Sequence, residues 1–149
     1  MIEIGQPAPD FEAKDSKGET LRLSSLKGKK VVLYFFPKAF TTGCTIETRQ
    51  FATLTPGLAE KGVQVVGVSV DQEETLSRFA GHCGATFPIV SDSNRSIARA
   101  YGVLSFLGLA KRATFFLDEE GIVRDVVVSM MPGPHTSGAA DRFGTRPPK

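Results

Sequence analysis

The stretch KVVLYFFPKAFTTGC, residues 30–44, decides the fold of this 149-residue chain. It opens with a continuous run of β-branched, aliphatic and aromatic side chains up to Phe36, which is typical of a strand covered on both faces. Pro37 ends that strand, and Thr41 or Thr42 then offers an N-cap for a helix. A buried strand that leads directly into a helix indicates an α/β fold.

The elements predicted on either side of this stretch complete such a fold. They are a hairpin over Asp10–Leu23, a helix after Thr42 that ends at Gly62, a strand over Val63–Val70, helices over Gln72–Cys83 and Asn94–Tyr101, and strands over Arg112–Leu117 and Ile122–Val128. Pro56 is expected to kink or shorten the first helix. This order gives a βαβ core followed by an antiparallel pair, which predicts a three-layer α/β sandwich with a mixed sheet and an N-terminal hairpin.

The chain divides by composition into a domain over residues 1–128 and a tail over residues 129–149. The tail holds four prolines and three glycines without a sustained apolar period. We therefore expect it to be mostly irregular.

Composition and charge exclude several classes of protein. Hydrophobic residues make up 41% of the chain and charged residues 23%, as in ordinary globular domains. The net charge is +2 and the basic residues are scattered, so nucleic acid is not an expected partner. No apolar run approaches the roughly 20 residues that span a bilayer, and the N-terminus does not resemble a signal peptide. We expect a cytoplasmic protein without a membrane partner, and a monomer because no exposed apolar stripe stands out.

The two cysteines, Cys44 and Cys83, are the chemically distinctive residues. A structural disulfide is disfavoured in the reducing cytoplasm, which gives weight to catalytic or redox use. Two cysteines are too few for most zinc sites, and His82 and His135 do not add a metal-binding spacing. We expect no metal or cofactor, and we expect both histidines at the surface.

Cys44 falls at the start of the predicted first helix. A thiol in a first helical turn feels the positive end of the helix dipole and unpaired backbone N–H groups, which favour the thiolate. Thr41 could donate its hydroxyl to that sulfur, and Pro37 would shield it from water. The alternative is that Cys44 is a small buried apolar residue, as most free cysteines are.

The pattern Pro-x-x-x-Thr-x-x-Cys, made here by Pro37, Thr41 and Cys44, resembles the active-site signature of peroxiredoxins. The flanking residues are most similar to the Q-type, or bacterioferritin-comigratory, subgroup. Further similar stretches are Gly5–Phe11, Gly67–Asp71, Phe87–Asp92 and Arg112–Asp118, so that the resemblance covers about residues 3–128.

The resemblance implies a thioredoxin-like fold and a thiol peroxidase that reduces hydrogen peroxide and organic hydroperoxides. It implies that Cys44 is the peroxidatic cysteine, that Thr41 binds the peroxide, and that Arg112 holds the thiolate and the peroxide oxygens. The planar guanidinium of Arg112 suits that role because it addresses two acceptors at once. Thioredoxin or a similar dithiol is the implied reductant.

The identity of the resolving cysteine is open at this stage. Q-type proteins often carry it five residues after the first, where this chain has Arg49. Some relatives place it in the following helix, where Cys83 lies, although Cys83 shares a stripe with Leu76 and Phe79 as a core residue would. A one-cysteine peroxidase resolved by an external thiol and a redox sensor without turnover are the alternatives.

Overall fold

A computed structural model describes residues 1–144 of the chain. In chain order its elements are β1 (Glu12–Lys14), β2 (Thr20–Arg22), a single 3-10 turn (Leu23–Leu26), β3 (Lys30–Phe35), α1 (Thr42–Glu60), β4 (Val63–Ser69), α2 (Glu73–Cys83), β5 (Ile89–Ser91), α3 (Ser96–Tyr101), β6 (Ala113–Leu117), β7 (Val123–Val128) and α4 (Gly133–Phe143).

The central layer is a five-stranded mixed sheet in the order β5-β4-β3-β6-β7. Strands β3, β4 and β5 are parallel, whereas β6 is antiparallel to β3 and β7 is antiparallel to β6. Strands β1 and β2 form a separate antiparallel hairpin. The predicted fold class, including the N-terminal hairpin, is confirmed. The three-residue strand β5 was not predicted, because so short a run carries no clear period.

Side chains alternate between the two faces of the sheet because successive residues of a strand point in opposite directions. On β3, Val32 and Tyr34 pack into a cluster with α1, α2 and α4, while Leu33 and Phe35 pack into a second cluster with α3 and the hairpin. Both predicted buried strands are therefore covered on two sides, which gives the three layers. Both cysteines belong to the first cluster.

The antiparallel pairing of β6 with β3 brings two distant parts of the chain together. Phe35, the last residue of β3, is paired with Ala113, the first residue of β6. Arg112 therefore lies at the edge of the sheet where α1 begins. By alternation it shares its face with Thr114 and Phe116, which is the face that α1 covers.

The prediction that Pro56 shortens the first helix is wrong. Helix α1 continues through Pro56 to Glu60. Proline removes one backbone hydrogen bond, but Leu54 and Leu58 on either side are buried, and their packing holds the helical path. The hydroxyl of Thr55 also donates to the Phe51 carbonyl at 2.7 Å in this turn.

The prediction of an irregular tail is wrong for Gly133–Phe143, which form α4. Proline in a first helical turn is tolerated because its missing N–H has no intrahelical partner there. The helix packs Ala139 and Ala140 against the α1 side of the sheet. Small and polar residues make up its buried face, so the apolar period that would predict a helix is weak. Residues 145–149, the end of the predicted tail, lie outside the described residues.

None of the helices between residues 1 and 144 combines the length and the apolar character that a membrane crossing requires.

Candidate active site

Cys44 lies in the first turn of α1, and Thr41 is the N-cap residue of that helix, as one of the two sequence alternatives predicted. The Cys44 side chain has no exposed surface. The Thr41 hydroxyl donates to the Lys38 carbonyl at 2.7 Å instead of bonding to the sulfur. Thr41 is exposed and Pro37 is half-buried, so the loop that leads into Cys44 reaches the surface at these two residues.

Arg112 places its guanidinium directly against the Cys44 thiol. Nη2 donates to Cys44 Sγ at 3.4 Å, Nη1 donates to Glu47 Oε1 at 2.7 Å, and Nε donates to the Met130 carbonyl at 2.9 Å. The side chain is only 6% exposed, so water does little to screen these contacts. Burial alone would lower the pKa of Arg112, but Glu47 and Cys44 raise it above its ordinary value. The arginine thus stays charged.

Glu47 forms a buried ion pair with Arg112 through its Oε1 atom. Its second oxygen, Oε2, is buried without a hydrogen-bond partner among the described residues. Burial raises the pKa of Glu47 to about 8, although Arg112 acts to lower it. Because Oε2 is buried without a hydrogen-bond partner in residues 1–144, a negative charge on Glu47 is costly at this position, which is the physical cause of the raised pKa.

His135 of α4 is fully buried, so the expectation that it lies at the surface is wrong. Nε2 is 2.9 Å from the Ser129 carbonyl, which only accepts, so Nε2 carries the hydrogen. Nδ1 then accepts from the Thr114 hydroxyl at 2.7 Å and lies 3.9 Å from Glu47 Oε2. Burial lowers the pKa of His135, which keeps the ring neutral. His135 thereby ties α4 to Ser129. The carbonyl of the next residue, Met130, accepts the hydrogen bond from Arg112 Nε.

Asp71, which follows β4, anchors the loop between β3 and α1. Asp71 Oδ2 accepts from the backbone N–H of Ala39 at 2.8 Å and from the Ser69 hydroxyl at 2.7 Å. In the same loop Phe40 has a positive φ of 66°, which is uncommon for a residue other than glycine. Its ring packs on Phe79 of α2 with the ring centroids 5.2 Å apart.

Gly43 leaves room for the arginine beside the cysteine. A Cβ atom at this position would lie 2.9 Å from Arg112 Nη2, closer than real contacts allow. The three hydrogen bonds of the guanidinium leave it little freedom to move away. Glycine is thus required here by the close approach of Arg112.

Cys83 is the last residue of α2 and is followed by Gly84, which ends the helix with a φ of 70°. The thiol is buried and free, and burial raises its pKa, while Arg49 acts in the opposite direction. Cys44 and Cys83 lie in the same apolar cluster, which also contains the buried Tyr34. Since neither forms a disulfide, the structure describes the reduced protein. His82 is exposed, as expected.

Sequence reasoning missed three groups of the site. The Met130 carbonyl left no signal, because a backbone atom is independent of residue type. Asp71 was noticed only as part of a similar stretch, and its position directly after a buried strand could have suggested a loop-anchoring role. His135 lay in the tail that was predicted to be irregular. Within residues 1–144 there is no cluster of histidine, cysteine, aspartate or glutamate residues that could hold a metal ion.

A reactive-type cysteine in a first helical turn, paired with a buried arginine at the edge of a thioredoxin-like sheet, defines a class of thiol-based redox protein. Comparison with known proteins makes this specific. Residues 4–126 match the AhpC/TSA family. Peroxiredoxin Bcp of Bacillus subtilis is 39% identical over 128 residues, which cover 80% of this chain and 81% of that protein. Peroxiredoxin Bcp of Escherichia coli is 34% identical over 132 residues, covering 84% and 85%.

Solved structures agree with these relatives. Peroxidoxin BcpB from Mycobacterium tuberculosis superposes with a TM-score of 0.89 at 34% identity over 97% of both chains. Peroxiredoxin Q of Xanthomonas campestris gives a TM-score of 0.83 at 29% identity over 90% of this chain and 89% of that one. The chain belongs to the AhpC/TSA family and is a peroxiredoxin similar to the Bcp, or Q-type, members.

The Gly43→Ala substitution should slow the reaction of Cys44 with peroxide about 10- to 100-fold, the effect of weakening one charge-assisted hydrogen bond. The backbone of Gly43 is helical, so alanine fits the chain path and only displaces Arg112 from the sulfur. The measurement is single-turnover stopped-flow kinetics with hydrogen peroxide. Gly138→Ala on α4, where a Cβ meets only ordinary contacts of 3.7 Å, should react like the wild type. An unchanged rate in Gly43→Ala would show that Arg112 is not held as described.

Replacement of Glu47 by glutamine should remove a pH dependence of stability. The folded-state pKa of Glu47, about 8, lies above its ordinary value of 4.5, so the folded protein binds this proton more tightly. The stabilisation is complete below pH 4.5 and is lost as the pH rises towards 8. The free energy of unfolding in urea, measured for both proteins across this range, should show the wild type losing stability relative to Glu47→Gln. If the free energy of unfolding of the wild type instead rose relative to that of Glu47→Gln with increasing pH, Glu47 would be ionised throughout.

Proposed function

We propose that this peroxiredoxin reduces hydrogen peroxide and organic hydroperoxides at Cys44. The observation that carries the proposal is the contact of Arg112 Nη2 with Cys44 Sγ at 3.4 Å, inside the first turn of a helix. A fixed cation and the positive end of a helix dipole both stabilise a thiolate at this sulfur. The bacterioferritin comigratory protein of Xanthomonas campestris, which is 28% identical to this chain, has been described for its alkyl peroxide reduction activity.

The chemical step is a displacement at one peroxide oxygen. The Cys44 thiolate attacks that oxygen, the S–O bond forms and the O–O bond breaks. The sulfur is oxidised to sulfenic acid, the peroxide is reduced, and the departing hydroxide or alkoxide takes a proton to become water or an alcohol. Negative charge moves from sulfur to the leaving oxygen during the reaction. The guanidinium of Arg112 lies along this path and its charge is held in place before the peroxide arrives, which favours the transition state.

Thr41 is proposed to bind the peroxide. Its hydroxyl donates to Lys38 in the structure, and a rotation about its side-chain bond would turn the donor towards a molecule entering over Cys44. Pro37 is proposed to cover the sulfur of Cys44 and to limit access of water. Thr41 is exposed whereas the sulfur is not, so the peroxide is expected to approach along Thr41.

Cys83 is proposed to resolve the sulfenic acid by forming an intramolecular disulfide with Cys44. Both thiols belong to one apolar cluster, and each lies at an end of its helix, where local unfolding costs least. A disulfide needs Cα atoms within about 7 Å of each other, so the two helix ends are expected to loosen before it forms. Thioredoxin or a similar dithiol would then reduce the disulfide and return both thiols.

The proposed setting is that of a cytoplasmic monomer that acts without metal or cofactor and without nucleic acid or membrane as a partner. The scattered basic residues and the small net charge of +2 support the absence of a nucleic-acid partner. The reaction itself needs no cofactor, because the sulfur is the group that changes oxidation state.

A one-cysteine cycle with an external resolving thiol is the second candidate. It is favoured by the burial of Cys83 beside Phe79 and by the raised pKa of its thiol, both of which are typical of a core cysteine. A redox sensor that is oxidised once and does not turn over is the remaining alternative. Steady-state peroxide consumption with a dithiol reductant separates the sensor from both peroxidases.

Intact mass and a free-thiol count after one equivalent of hydrogen peroxide, under denaturing and non-reducing conditions, test the cycle. The wild type should lose about 2 Da and retain no free thiol, because both sulfurs enter the disulfide. Cys83→Ser should gain about 16 or 32 Da, and Cys44→Ser should keep its mass. A wild type that gains oxygen and retains one thiol would exclude Cys83 as the resolving residue. Rapid peroxide consumption by Cys44→Ser would overturn the proposed function itself.

A further inference from the structure

Arg49 lies on the second turn of α1 and reaches across to the end of α2. Its Nη2 atom is 3.3 Å from His82 Nε2 and donates to the His82 carbonyl at 3.4 Å. The His82 carbonyl is bonded to the backbone nitrogen of Cys83, so the guanidinium lies beside Cys83, and its charge acts to lower the pKa of that thiol. The residue that stands in place of a nearby second cysteine thus contacts the residue directly before the other cysteine of the chain.

The surroundings of Cys83 are otherwise unfavourable for a thiolate. The residue is the last of α2, where the carbonyl groups and the negative end of the helix dipole lie. Phe79 and the buried Tyr34 of β3 belong to the same apolar cluster as Cys83, and burial raises the pKa of Tyr34 well above its ordinary value, so Tyr34 stays neutral. His82 is the titratable neighbour on α2 itself. Arg49 brings the permanent positive charge to this environment.

We infer that Arg49 stabilises the thiolate of Cys83 and thereby sets the rate at which the sulfenic acid on Cys44 is converted into a disulfide. The inference deepens the proposed function and rests on the assignment of Cys83 as the resolving residue. In this step the Cys83 thiolate attacks Cys44 Sγ, the S–S bond forms and the S–O bond breaks. The hydroxide that leaves takes a proton and becomes water. Arg49 keeps its proton throughout and acts through its charge.

The position of Arg49 suits this role during the movement that disulfide formation requires. The first turn of α1, which carries Cys44, has to loosen, but Arg49 lies one turn further into the helix. It can therefore remain in place while Cys44 leaves its covered position. The end of α2 loosens at Gly84, next to Cys83.

A purely structural role for Arg49 makes the opposite kinetic prediction. As a clamp, Arg49 holds the end of α2 against α1 through His82, and its removal would free Cys83 and speed disulfide formation. As an electrostatic activator, its removal leaves Cys83 more protonated and slows disulfide formation. Arg49→Gln therefore separates the two roles by the direction of the change, and Arg49→Lys, which keeps the charge, should recover part of the rate.

The first measurement follows the ultraviolet absorbance of the Cys83 thiolate against pH in a Cys44→Ser background. Arg49→Gln should raise the pKa of Cys83, whereas Arg49→Lys should keep it close to that of the parent. Arg78→Gln, which removes the same charge from an exposed position of α2, is the matched control and should leave the titration unchanged. An unchanged titration in Arg49→Gln would overturn the inference. This result does not depend on peroxide chemistry, so it is distinguishable from a failure of the proposed function.

The second measurement uses the chain with both cysteines and stopped-flow fluorescence or quenched-flow mass analysis after peroxide addition. Arg49→Gln should form sulfenic acid at the wild-type rate but close the disulfide about 3- to 10-fold more slowly, as expected for a partly exposed charge. It should also accumulate more sulfinic acid at high peroxide, because the sulfenic acid lives longer. Equal or faster disulfide formation would assign Arg49 to the clamp instead.

Discussion

The guanidinium of Arg112 is the group on which the rest of the site depends. It is fixed by the carboxyl group of Glu47 on α1 and by the backbone carbonyl of Met130 after β7. Its third nitrogen, Nη2, donates to the sulfur of Cys44. The planar fork holds these three acceptors in one geometry, which a flexible ammonium group could not do. The sheet provides the frame, because antiparallel pairing of β6 with β3 brings Arg112 to the start of α1.

Burial of these charges explains the polar residues that surround the site. Arg112 is the cation in contact with Cys44, and burial makes a negative charge on Glu47 costly despite the ion pair, which is why the pKa of Glu47 is raised. Neutral His135 of α4 forms hydrogen bonds with Thr114 and with the Ser129 carbonyl. Helix α4 therefore closes the site and fixes the chain next to Met130. Arg112 thus bridges the two acidic groups of the site, Cys44 and Glu47. The terminal helix is thus part of the active site's support.

The sequence predicted the strand, the turn and the helix start around Cys44 because buried strands and helix caps leave local signals. It also predicted the partnership of Cys44 with Arg112, but only through resemblance, since no local pattern links residues so far apart in the chain. The ion pair of Glu47 with Arg112 left no local signal, because the two residues lie far apart in the chain. His135 and α4 were missed since a helix that buries alanine and polar residues lacks an apolar period.

The central claim is that the geometry of the Arg112 fork, and not its charge alone, prepares Cys44 for peroxide. The most direct test is the second-order rate constant of reduced Arg112→Lys with hydrogen peroxide, measured by single-turnover stopped flow. Loss of the fork should lower this constant about 10- to 100-fold, as expected for weakening a charge-assisted hydrogen bond, although the positive charge remains. A rate constant equal to that of the wild type would contradict the account.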